Sequence, residues 1–242
     1  MGLGIIRFCN KFLNRFGLVI KDFDKYQDDL MHVNNLWLKK LNINAVIDVG
    51  ASTGDYALKA RSLFPQAKIV SFEPLPNSFK ILKQNFKDDK NHLAYNFVLS
   101  NQKGVLKFNE SSYSGSSSLL VMSKVHTDAY PYSANNNIIE VSANTLDSVF
   151  ENLNLEENIL LKLDVQGAEA LVLKGAINSL AKIKVIFIEM SFVELYLGQW
   201  LFDELYAFLK QFNFRLVGIE NVSQSLKDGS YLQMDAYFVK NT

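Results

Sequence analysis

The chain has 242 residues, 48% of them hydrophobic, with 25 basic and 25 acidic side chains and a formal net charge of +0. That length suits one large α/β domain whose core needs no disulfide or metal support. The neutral balance carries no sign of a nucleic-acid partner, and a single cysteine, Cys9, excludes an internal disulfide and fits a reducing, cytoplasmic setting.

In chain order, Met1 to Phe16 mixes Ile5, Ile6, Phe8, Phe12, Leu13 and Phe16 with Arg7, Lys11 and Arg15. Basic residues every four positions fall on one helical face. The segment reads as a helix packed on the domain or as an interfacial helix making weak peripheral contact with an anionic membrane. It lacks the unbroken apolar run of a secretory signal or a membrane span. Cys9 has no histidine beside it and reads as an ordinary packed or surface thiol. A second helix is predicted over about 26–41, where Leu30, Val33, Leu36, Trp37 and Leu41 share a face. Residues 1–40 are therefore expected to form a helical extension and 41–242 the main domain.

From there, apolar runs alternate with helical stretches. Strands are predicted at Ala45–Val49, Lys68–Phe72, Ala94–Leu99, Ile159–Asp164, Val185–Glu189, Phe214–Ile219 and Met234–Val239. Helices are predicted at Tyr56–Phe64, Asn77–Phe86, Ala168–Leu180 and Leu201–Phe212. This rhythm implies a mostly parallel seven-stranded sheet with helices on both faces. No helix separates the last two strands, so the final one should enter antiparallel as a hairpin. Residues 104–141 break the pattern. They are rich in Ser and Asn with short β-like pieces at Val105–Phe108 and Ile138–Val141, and read as a mobile polar loop or as an inserted lid over a substrate.

The chemistry-bearing residues cluster at predicted strand ends, where open parallel sheets bind ligands. The first strand runs into Asp48-Val49-Gly50-Ala51-Ser52-Thr53-Gly54-Asp55, with Gly50 and Gly54 permitting a tight turn and close backbone approach. The second ends in Glu73-Pro74, and a carboxylate there can accept both hydroxyls of a ribose. A dinucleotide fingerprint would need further glycines, whereas Ser52 and Asp55 stand here. Asp55 would repel a pyrophosphate, so Asp48 and Asp55 favour a cationic cofactor; Asp55 could instead cap the next helix. Lys162 and Asp164 share a strand face, and Glu189 ends the neighbouring strand. Asp164 and Glu189 could orient a hydroxyl, take its proton or share a divalent ion, although no metal ligand is assigned. Glu169 opens a helix, where a carboxylate is favoured on electrostatic grounds alone. His32 falls in a helix and His92 in a polar turn. His126 lies in the inserted segment, as a solvated histidine or a base reaching the site.

Together these residues resemble the FkbM-type methyltransferase family over about 40–240. The matching stretches are Val46–Asp55, Ser71–Pro74, Val98-Leu99-Ser100 with Gly104, Ser116–Leu120, Thr145–Asp147, Leu161–Glu169 with Leu173–Ala176, Phe187–Ser191, and Leu195-Tyr196 with Leu201–Phe208. The Lys162-x-Asp164-x-x-Gly167-Ala168-Glu169 element is the most specific. The resemblance implies a class I methyltransferase fold, S-adenosylmethionine as cofactor, and transfer to oxygen on a sugar, glycan or related small molecule. It implies that Asp48, Gly50 and Gly54 line the methionine part, Glu73 the ribose, and Ser100 the adenine region; Ala51, Asp55, Pro74 and Asp164 are further candidates for the cofactor site. Asp164 would face the reacting centre, with Glu189 and Lys162 as catalytic partners. A nicotinamide-dependent oxidoreductase and a non-catalytic adenosyl-binding protein stay open as alternatives.

Overall fold

The computed structural model describes residues 9–10, 13–19, 36–134 and 136–241. The chain divides into two units, Met1–Asn42 and Ile43–Thr242. In the first, the described residues include a 3-10 turn at Asn14–Phe16, closed by Gly17 at φ 70°, and a helical turn at Leu36–Lys39. The basic face predicted for the first 16 residues and most of the helix predicted over 26–41 lie outside the described residues. Among the described residues no helix is long and apolar enough to cross a membrane.

The second unit is built on a seven-stranded sheet. Its strands are β1 (Ala45–Val49), β2 (Lys68–Phe72), β3 (His92–Tyr95), β7 (Ile159–Leu163), β8 (Ile183–Ser191), β9 (Phe214–Gln224) and β10 (Tyr231–Lys240), in the order β3-β2-β1-β7-β8-β10-β9. All pairings are parallel except those of β10, which lies antiparallel between β8 and β9. Every residue of β1 and β7 is buried, as expected of central parallel strands covered on both faces. Two helices shape the ligand end of the sheet. Helix α1 (Asp55–Leu63) starts after Gly54, and α2 (Pro76–Asn85) opens on a proline, whose fixed φ and missing N–H suit a first helical turn.

Three predicted elements differ from what forms. The strand predicted over Ala94–Leu99 is two strands in different sheets. β3 ends at Tyr95, and Val98–Leu99 is β4, which pairs with β6 (Asn136–Asn144). The break falls at Asn96, whose amide donates to the carbonyls of Glu73 and Pro74, both at 2.9 Å, and so turns toward the end of β2. The helix predicted over Ala168–Leu180 stops early, as α5 (Glu169–Lys174), followed by a 3-10 turn at Ser179–Ala181. The stop is Gly175, where any Cβ would run into the carbonyl oxygen of Ser100.

The third difference is the inserted segment, which forms its own sheet in the order β4-β6-β5, with β5 spanning Gly104–Ser111. A small core of Leu75, Val98, Phe108, Val141 and Ala143 packs beneath it. Between β5 and β6 lie α3 (Lys124–Ala129) and short 3-10 turns. Two further helices are α4 (Leu146–Val149), capped by Thr145, and α6 (Phe202–Gln211), whose Leu205 and Leu209 enter the main core.

Candidate functional site

Strand register assembles the site. Asp48 on β1 lies opposite Ser71 on β2 and Lys162 on β7; Lys162 lies opposite Phe187 on β8; and Glu189 lies opposite Asp235 on β10. Five strands thus deliver polar side chains to one end of the sheet.

Two clefts open there. The first runs between the main sheet and the inserted one. Gly50, Ser52, Phe72, Glu73, Pro74 and Leu75 line it on one side, and Val98, Leu99, Phe108, Ser114, Ser117 and Leu119 on the other. The inserted segment is therefore a wall of this cleft. The second is lined by Ala51, Asp55, Tyr56, Lys59, Lys162, Phe187, Glu220, Asn221 and Asp235. Gly50, Ser52 and Asp164 border both clefts, so the two meet at the turn after β1.

That turn is tightly specified. Gly50 and Gly54 sit at φ 76° and 100°, and Ser52 is itself left-handed at φ 49°. A side chain on Gly50 would collide with the Asp164 backbone carbonyl, so the first turn packs directly on the end of β7. Glu73 holds the turn from the other side. Its Oε2 accepts the Ser52 N–H and its Oε1 accepts the Leu75 N–H, both at 2.8 Å. Each oxygen retains a lone pair for a ligand hydroxyl. Burial pushes this carboxyl above its ordinary value, with the two backbone donors pulling against it.

Beneath the turn, Lys162 is 5% exposed at its side chain and lies 3.2 Å from Asp48 and 3.7 Å from Asp164. It also donates to the Gly50 carbonyl oxygen at 2.8 Å. Burial would lower its ammonium, but Asp48 and Asp164 outweigh burial and hold it above its ordinary value. Asp48 is fully buried, and burial raises its carboxyl against the pull of Lys162.

Asp164, with a side chain 43% exposed, is the carboxylate open to the junction. Gln166 occupies the space between it and Glu189. The Gln166 Nε2 donates to Asp164 Oδ1 at 2.8 Å and to Glu189 Oε2 at 3.0 Å, while Gln233 donates to Glu189 Oε1 at 2.6 Å. The shared divalent ion considered for these two carboxylates has an amide in its place. Among the described residues no group of three or more His, Cys, Asp or Glu could hold a metal ion. Burial raises Glu189 well above the carboxylate range, and the nearby Asp164, Glu169 and Asp235 raise it further. Asp235 is itself raised to about 6, chiefly by burial.

The remaining sequence candidates sit elsewhere. Asp48 lies below the clefts as an anchor. Gly54 borders neither; a Cβ there would meet Leu82 and Phe86, so it serves the packing of α1 on α2. Asp55 falls in the first turn of α1 and borders the second cleft, with Gly54 as the cap residue. Ala51 also borders the second cleft. Ser100 is buried and packed under Gly175, and its neighbours Val98 and Leu99 line the first cleft instead. Glu169 accepts the N–H groups of Val165 and Gly167 at 2.9 and 3.3 Å and so folds the turn after β7 around itself; burial raises its carboxyl to about 7. His126 is buried on α3 and contacts the Tyr196 hydroxyl rather than a cleft. Gln166 and Tyr196 escaped the sequence reading as site residues, because their contacts span 30 positions of the chain.

A sequence model of the methyltransferase FkbM domain matches residues 48–216. The chain is 29% identical over 160 residues to the 2-O-methyltransferase NoeI of Sinorhizobium fredii (strain NBRC 101917 / NGR234), covering 64% of this chain and 66% of that one. It is 30% identical over 161 residues to methyltransferase sdnD of Sordaria araneosa, covering 54% of this chain and 59% of the relative. The crystal structure of methyltransferase FkbM from Methylobacillus flagellatus KT superposes with a TM-score of 0.47 at 12% identity, over 81% of this chain and 44% of that one. Each match spans less than two thirds of the relative's own length.

Proposed function

Because this chain belongs to the FkbM methyltransferase family, we propose that it transfers a methyl group from S-adenosylmethionine to a hydroxyl oxygen of a sugar or glycan-related small molecule. One observation carries the cofactor assignment: among the described residues, the first cleft is lined by two carboxylates, Glu73 and Asp164, and by no lysine, arginine or histidine. A pyrophosphate would meet two carboxylates there, with the nearest ammonium, Lys162, set behind Asp164 and already paired with it and Asp48, which weighs against a nicotinamide dinucleotide. A ligand carrying a ribose, a sulfonium and an ammonium suits the same lining. In this reading Glu73 accepts from the ribose hydroxyls, and Phe72, Pro74, Leu75, Val98, Leu99 and Phe108 enclose a flat heterocycle. Gly50 and Ser52 border the methionine end beside Asp164.

When bound, the cofactor supplies a methyl group on a sulfonium, whose displacement by an oxygen leaves a neutral thioether. The protein's own residues position the acceptor and receive its proton. Asp164 takes that proton, since it is exposed at the junction of the clefts. Lys162 stays protonated behind it and holds Asp164 beside the turn. Glu189, whose two oxygens accept from Gln166 and Gln233, acts as a hydrogen-bonding support rather than as the base. The acceptor approaches through the second cleft, where Tyr56 and Phe187 stack with ring centroids 5.4 Å apart. Asp55, Asn221 and Asp235 add hydrogen-bonding groups suited to a polyol. The Sinorhizobium relative is named a 2-O-methyltransferase, which supports oxygen as the acceptor atom.

Calorimetry with S-adenosylmethionine tests the reading directly. Saturable binding is expected, and no binding at about millimolar cofactor would overturn it. Labelled cofactor incubated with cell glycan extracts should then yield O-methylated sugar; label found only on nitrogen or carbon would overturn the acceptor class.

A further inference from the structure

Gln166 is held from three sides. Both its amide N–H groups are used by Asp164 and Glu189, and its Oε1 accepts from the Tyr196 hydroxyl at 2.9 Å. Its backbone is left-handed at φ 56°, and its carbonyl accepts from the Ser118 hydroxyl at 2.7 Å. Tyr196 is 2% exposed and packed hard on the same turn, so that a Cβ on Gly167 would sit 2.8 Å from the Tyr196 Cβ. Its hydroxyl lies 3.1 Å from His126 Nε2, and the two rings meet at 4.9 Å between centroids. Of the three groups within reach of the phenol, Gln166 Oε1 is the nearest at 2.9 Å, against 3.1 Å for both the Ser116 carbonyl and His126 Nε2.

A glutamine amide can turn through half a circle with little change in shape. Here the turned amide would point its oxygen at two carboxyl groups. The two carboxylates accept from the N–H side of the amide, and the Tyr196 hydroxyl, donating to Oε1, fixes the same orientation from the other end. We propose that Tyr196 is a positioning residue for the methyl-transfer reaction. Its hydroxyl locks the Gln166 amide so that Asp164 is held at the junction of the two clefts, and this makes the inserted segment, through His126 and Ser118, part of the apparatus that aims the base. The inference rests on the reading of Asp164 as the base. The charged and titratable groups around Asp164 are Lys162 and Asp48 behind it, Glu169 and Glu189 beside it, and Asp235 across β10.

The test is a double-mutant cycle of Tyr196→Phe and Gln166→Leu in the full chain. Tyr196→Phe keeps the buried ring and removes one oxygen. It is expected to lower kcat about tenfold or more while the Kd for S-adenosylmethionine stays within about threefold, since small displacements of a reacting group are felt in rate. In the Gln166→Leu background the same change should have no further effect, whereas a purely structural tyrosine would act additively in both. A readout that needs no activity separates this inference from the parent reading. The Gln166 side-chain amide protons, assigned by their loss in Gln166→Leu, should show shifted, slowly exchanging NMR signals in the native protein and ordinary ones in Tyr196→Phe. Additive rate effects, or amide signals unchanged by Tyr196→Phe, would overturn the proposal. Native amide signals that collapse in Tyr196→Phe would uphold the lock even in a protein that failed to bind the cofactor, an outcome that would count against the parent reading alone.

Discussion

Replacing Lys162 with Met removes the ammonium beneath the β1 turn and keeps most of the apolar stem. That ammonium is the counter-charge 3.2 Å from Asp48 and a donor to the Gly50 carbonyl. Removing one partner of a buried pair costs about 3–5 kcal/mol, because the other charge is left uncompensated. Asp48 can limit the loss by taking up a proton. Near pH 7, neutralising a carboxyl whose ordinary value is 3.8 costs about 1.4 kcal/mol per pH unit, or about 4 kcal/mol. The expected loss is therefore about 3–4 kcal/mol, a fall in Tm of roughly 6–16 °C for a chain of this size. The sign with pH follows from Asp48. Its folded value is already raised, and the variant raises it further, so the deficit is small below about pH 4 and grows as pH rises toward neutrality. Thermal and urea unfolding of both proteins between about pH 4 and pH 8 measures this. The double variant Asp48→Asn, Lys162→Met should recover most of the loss near pH 7. A deficit of equal size at both ends of the range, or no recovery in the double variant, would refute the charge argument.

Glu73→Gln leaves one acceptor oxygen where two backbone N–H groups now find one each. The Kd for S-adenosylmethionine by calorimetry should rise about tenfold or more, in line with the loss of a charged hydrogen bond, and an unchanged Kd would remove Glu73 from the ligand site. Asp164→Asn should lower the rate of labelled methyl transfer at saturating cofactor by about 10²–10⁴-fold. A rate within a few-fold of native would show that another group takes the proton. Glu169 is raised to about 7, so the stability linked to it is present below its ordinary 4.5 and is lost as pH rises through about 7. Glu169→Gln preserves the Oε1 acceptor used by Val165 and Gly167, and should flatten the fall in Tm across that window. A fall of native steepness in the variant would assign it to other groups.

The main sheet was legible because its signal is local. Ala45–Val49 and Lys68–Phe72 form as predicted, since apolar runs bounded by polar turns say where a buried strand starts and stops. The hairpin entry of the last strand followed from the missing crossover helix. What stayed hidden depends on partners distant in sequence. Nothing in Ala94–Leu99 itself reveals that Asn96 will bond to the end of β2, nor does Gly175 announce the Ser100 carbonyl that stops α5. In the site, strand alternation placed Lys162, Asp164 and Glu189 correctly at one end of the sheet. It could not show which carboxylates are exposed. Asp48 and Asp164 look alike in sequence, yet one is a buried anchor and the other opens to both clefts. Gln166-Gly167 did carry a signal, because a polar residue and a glycine directly after a strand mark a sharp turn that tolerates left-handed backbone.

The first cleft separates two sheets joined in the chain by Asn96 and Phe97 between β3 and β4 and by residues 145–158 between β6 and β7. Anything wedged there touches both, and so acts as a layer of packing shared between them. Affinity for that occupant and resistance of the smaller sheet to opening are then one free energy seen from two sides, growing as RT ln(1 + [L]/Kd). Substitutions that loosen β5 and β6 far from the ligand will weaken binding without touching it, and a tightly held ligand will mask lesions in that sheet. Amide exchange in β5 and β6, followed across a ligand titration, would report the affinity without any measurement of turnover.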